Sequence, residues 1–90
     1  MKEKGTYRSR ESAEMLAIEA LSWIAADAGQ LDRFLALAGI GPGTLREAAA
    51  DPAFLAGVLD FLLGHEPTVV AFAEAYGISP AAVAAARRAL

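Results

Sequence analysis

The stretch Asp51-Pro52-Ala53-Phe54-Leu55-Ala56-Gly57-Val58-Leu59-Asp60-Phe61-Leu62-Leu63-Gly64 decides the fold class. Asp51 can accept a backbone N–H, and Pro52 has a backbone already set for a first helical turn, so the pair starts a helix. Phe54, Leu55, Val58, Leu59, Phe61, Leu62 and Leu63 then follow with almost no polar face. A helix apolar nearly all round must be covered by others, so this one belongs at the centre of a helical domain. Gly64 ends it.

The same punctuation recurs on both sides. Glu66-Pro67 and Ser79-Pro80 open two more helices. The first carries Val69, Val70, Phe72, Ala73 and Tyr76 up to Gly77. The second runs to Leu90, with Arg87 and Arg88 in its last turn, where positive charge suits the helix dipole. Upstream, Ser9 or Ser12 caps a long helix reaching Asp27, with Leu16, Ala20, Trp23 and Asp27 on one face and Ala17, Leu21 and Ile24 beside it. Its exposed strip reads as Glu14, Glu19, Ser22 and Ala26. Gly29 interrupts the pattern before a helix with Leu31, Phe34, Leu35 and Ala38, which Gly39 stops. A short helix over Pro42–Ala50, anchored by Leu45, follows. The expected fold is all-α: an orthogonal bundle of five or six short helices.

The halves match at an offset of 38 residues, Leu21–Ala48 lying over Leu59–Ala86. Ile24 falls on Leu62, Phe34 on Phe72, Gly39-Ile40 on Gly77-Ile78, Pro42 on Pro80 and Leu45 on Val83. The matched residues are core anchors, a helix-stopping glycine and a helix-starting proline. Two pseudo-repeated halves sharing one core are therefore expected.

Length and composition bound the rest. Ninety residues make one domain with a thin core. The hydrophobic share of 56% includes 22 alanines, which favour helix but bury little area. Cysteine is absent, which excludes disulfides and thiolate chemistry. No segment reads as a secretory signal or is long enough to span a bilayer, so a soluble cytoplasmic protein with no membrane partner is expected. Met1–Arg10 carries Lys2, Lys4, Arg8 and Arg10 against Glu3, and the remainder carries four arginines against ten acids. A flexible basic tail, residues 1–8, is thus expected to precede an acidic domain at 9–90.

Catalytic parts are scarce. The single histidine, His65, follows the central helix and suits a capping role. No nucleophile with a base, no metal-ligand spacing and no phosphate-cradling loop is present, so no enzyme activity, metal or cofactor is expected. Asp60 stands in the most apolar helix with no cation one turn away. An unpaired buried carboxylate is costly, so Asp60 either lies on an outer strip with Gly57 and Gly64 or pairs with an arginine from another helix, Arg46 or Arg33. It reads as a structural carboxylate.

Val69–Arg88 resembles a helix-turn-helix in its small Ala73, its Gly77 turn and its anchors Phe72, Tyr76, Ile78 and Val83. The reading helix, however, offers Ala81, Ala82, Ala84 and Ala85 where base edges call for Arg, Asn or Gln. An acidic body also repels phosphate. Nucleic-acid binding is the second reading. The first is a non-enzymatic interaction module whose partner is another protein or a second copy, because apolar side chains exceed what so thin a core can hide. Trp23, Leu37 and Tyr76 are the candidate interaction surface.

The runs Leu16–Ala25, Asp51–Leu55, Val58–Leu63 and Ala86–Leu90, in that order and spacing, resemble a family of short alphaproteobacterial proteins, domain-of-unknown-function family 3572. The resemblance covers Glu11–Leu90 and takes in Trp23 and Asp60 at recurrent positions. Gly43 and Gly57 depart from its pattern, and members often continue past the position of Leu90. It implies a small bacterial helical domain. It assigns no activity and no site residue.

Overall fold

The computed structural model describes residues 9–90. The basic tail expected at residues 1–8 lies outside them. Six helices follow in order: α1 Arg10–Ala25, α2 Ala28–Ala38, α3 Leu45–Ala48 preceded by a 3-10 turn over Pro42–Thr44, α4 Pro52–Leu63, α5 Glu66–Tyr76 and α6 Pro80–Arg88. There is no strand among the described residues.

The capping chemistry works as the residues predict. The side chains of Ser9, Asp51 and Ser79 accept backbone N–H bonds from Ser12, Ala53 and Ala82. Other boundaries differ. Asp27 is not on the α1 face; its carboxylate accepts the Gln30 N–H and starts α2, so Gly29 lies inside that helix. The segment expected as one helix from Pro42 to Ala50 divides into the 3-10 turn and the four-residue α3. A run this short and glycine-flanked cannot complete a stable α-helix on its own. His65, not Glu66, is the cap of α5, and α6 ends at Arg88.

The two halves share more than residue identities. Gly39 and Gly77 both end their helices in the left-handed conformation, at φ 73° and 68°. In each half the following isoleucine N–H returns to a carbonyl five residues back, Ile40 to Leu35 and Ile78 to Ala73. This closes the last helical turn in the same way twice. The chain bends by 106° between α4 and α5, which makes the packing orthogonal.

α4 is the centre. It packs on α1, α5 and α6, and α1 packs on α2 and α6. Leu55, Val58, Leu59 and Leu62 of α4 meet Ala13, Leu16, Ala17, Ala20 and Ile24 of α1 in one core, which Phe34, Phe72, Val83 and Ala86 complete. Alanines along α1 and α6 let helix backbones approach closely, so the alanine-rich composition serves packing. No single helix among the described residues is long and apolar enough to cross a membrane.

Candidate interaction surface

α4 has one polar strip, and Asp60 lies on it. Its Oδ1 accepts a hydrogen bond from Nε of Arg87 on α6 at 2.7 Å. The sequence anticipates an outer strip or an arginine partner; the structure supplies both. The partner is Arg87, not Arg46 or Arg33, because α6 packs closely along α4 and brings Arg87 beside the Asp60 strip. The hydrogen bond and the negative charge of Asp60 hold the Arg87 pKa above its ordinary value. Arg33 instead lies over the Phe61 ring, 5.3 Å from its centroid, a cation–π contact. The α4–α6 pair is exposed enough to be a modest clasp worth about 0–1 kcal/mol.

His65 faces Thr68, its Nδ1 lying 2.7 Å from the threonine Oγ1, so its polar contact is local to the start of α5. Among the described residues no cluster of His, Asp and Glu could hold a metal ion.

The three residues expected to form an interaction surface separate into two places. Trp23 is half-buried and meets the Phe72 ring edge-on at 5.5 Å. Tyr76 also stacks obliquely on Phe72, at 4.6 Å, and stays 40% exposed. Its hydroxyl comes within 3.5 Å of the Glu19 carbonyl, so α5 leans on α1 there. Trp23 and Tyr76 thus both pack on one buried ring. Leu37 stands apart on α2, 76% exposed.

Two exposed apolar residues escape the sequence reading: Met15, 66% exposed, and Ile18, 45% exposed, both on α1. Helical spacing places Glu11, Met15, Ile18 and Ser22 on one stripe about 60° wide. The signal was present, since these positions are one turn apart, but α1 has apolar residues on several faces and spacing alone does not say which face is covered. Ile18 and Ser22 also border an open cleft of about 580 Å³ between α1 and α3, lined further by Leu21, Leu45, Arg46 and Ala49.

The internal repeat explains the cleft. At the same offset, Ser22 corresponds to Asp60 and Ala49 to Arg87. In the second half those two positions carry the charge clasp between α4 and α6. In the first half they carry two small side chains, and the equivalent seam is open.

On α6 the buried face is Ala82, Val83 and Ala86, turned into the core. Its outer surface offers Ala81 and Arg88, with Arg87 bound to Asp60.

No curated protein and no solved structure matches the chain. Residues 10–90 match a family model described as "Protein of unknown function (DUF3572)". The helical fold described above and that match together make the chain a member of the DUF3572 family.

Proposed function

We propose that this protein is a non-enzymatic interaction module that receives a protein partner at the seam between α1 and α3. The observation carrying this reading is the pairing of an open cleft, lined by the exposed Ile18, with a second exposed apolar side chain, Met15, one turn earlier on the same stripe of α1. Apolar area left in water at a concave seam gains free energy when a partner covers it, at roughly 25 cal/mol per Å² before the costs of association. Arg46 adds a positive charge at the same place in a chain of net charge −3. A partner with an apolar side chain beside a carboxylate fits both features.

Helix-turn-helix binding to nucleic acid gains no comparable support. The outer surface of α6 is alanine-rich, and Arg87 is engaged by Asp60.

The test is capture by the tagged protein from nuclease-treated lysate, with wild type and Ile18→Asp side by side. A protein partner, either a different chain or an untagged copy, is expected with wild type and lost with Ile18→Asp. Partners that vanish with nuclease, or that bind the variant equally well, would remove the reading.

A further inference from the structure

Resting on that reading, we propose that the partner at the α1–α3 seam is a second copy of the same chain, docked antiparallel through the α1 stripe about a two-fold axis near Ile18.

A two-fold contact requires one patch to be complementary to itself. The α1 stripe meets this condition. It holds apolar side chains that project, Met15 and Ile18, and a small residue beside an open cleft, Ser22. With two α1 helices antiparallel about Ile18, each Ile18 faces its equivalent. Met15, one turn earlier, lies over the second copy's Leu21 and Ser22 and enters the cleft that they line. The acidic start of α1, Glu11 and Glu14, then passes over the cleft that Arg46 lines.

Charge supports the same occupant. Within the described residues the only ion pair is Asp60 with Arg87, so Arg46 has no carboxylate partner there. The second half closes its seam with a carboxylate from one helix and a guanidinium from the other. The first half has a guanidinium at a different position, Arg46, which matches Ala84, and its Ser22 supplies no carboxylate. Glu11 of a second copy supplies one in trans. The stripe is small, so the interface falls at the low end of specific contacts, with dissociation in the micromolar range.

The test uses the whole chain, which has no native cysteine among its residues. Sedimentation at up to several hundred micromolar is expected to show wild type, of 9.4 kDa, approaching twice that mass. Ile18→Cys is expected to form a disulfide-linked dimer at least about tenfold faster than Leu37→Cys, a control more exposed than Ile18. Arg46→Glu is expected to weaken dimerisation about tenfold, and adding Glu11→Arg to restore it. Both positions are exposed, and far-UV circular dichroism verifies that each variant keeps its helices. A wild type that stays monomeric, or an Ile18→Cys chain no quicker to cross-link than the control, overturns the self-docking. If that monomer still captures another protein in an Ile18-dependent way, the interaction module stands without self-docking. If it captures none, both readings fall.

Discussion

The third limbs of the two halves, α3 and α6, start from matched prolines and end in different places. α6 runs nine residues, and its Val83 is fully buried where it packs on α1, α4 and α5. α3 runs four residues behind a 3-10 turn and buries none of them fully. The sequence difference is small: Gly43 against Ala81, Arg46 against Ala84, Ala49 against Arg87. Gly43 weakens the first turn, and the chain must leave at Asp51 to begin α4. The second half meets no such demand, so its limb lengthens and its alanines pack close. An internal repeat can therefore keep its anchors and still produce one sealed seam and one open seam.

The largest expected effect breaks that contrast directly. Val83→Ala should cost roughly 2 kcal/mol, because it leaves a cavity in a closed core. Its counterpart Leu45→Ala removes more atoms but should cost only about 1 kcal/mol, because Leu45 is half-exposed. Urea unfolding of both variants checks the order; equal losses would mean that α3 is held as firmly as α6.

Gly39→Ala and Gly77→Ala test where the halves are alike. Each glycine has positive φ, and no atom lies within 4 Å of an added Cβ, so the cost is conformational alone. About 1 kcal/mol is expected at each, and the two should agree within about 0.5 kcal/mol in thermal unfolding. Gly57→Ala sharpens the picture of α4. Gly57 is exposed inside a helix with open space around it, and the change should stabilise by about 0.5–1 kcal/mol.

The smallest effect concerns the clasp. Asp60→Asn should cost under about 1 kcal/mol in urea unfolding, less at high salt. Moving the clasp, with Ser22→Asp and Ala49→Arg together, should leave stability nearly unchanged but cover the cleft. Sedimentation should then show loss of self-association; an undiminished dimer would place the contact elsewhere.

Much of this molecule is readable along the chain. Prolines, serines and aspartates at helix starts, and glycines at helix ends, act through neighbouring backbone groups, so their effects need no tertiary context. Asp27 is ambiguous along the chain, because helical spacing from Trp23 fits a shared face as well as it fits a cap for the next helix. Asp60 in an apolar helix calls for an outer strip or a cation, but the sequence does not single out Arg87, because that ion pair joins residues 27 apart through the packing of α6 on α4.

The sequence by itself determined the all-α class, the central place of α4 and the twofold pattern. All of these follow from local backbone chemistry and from apolar periodicity. Only the tertiary structure decided which face of α1 stays in water, which arginine meets Asp60 and which of the two equivalent seams is open. Those outcomes depend on how closely two helices approach, and that distance is set by side chains from both helices at once.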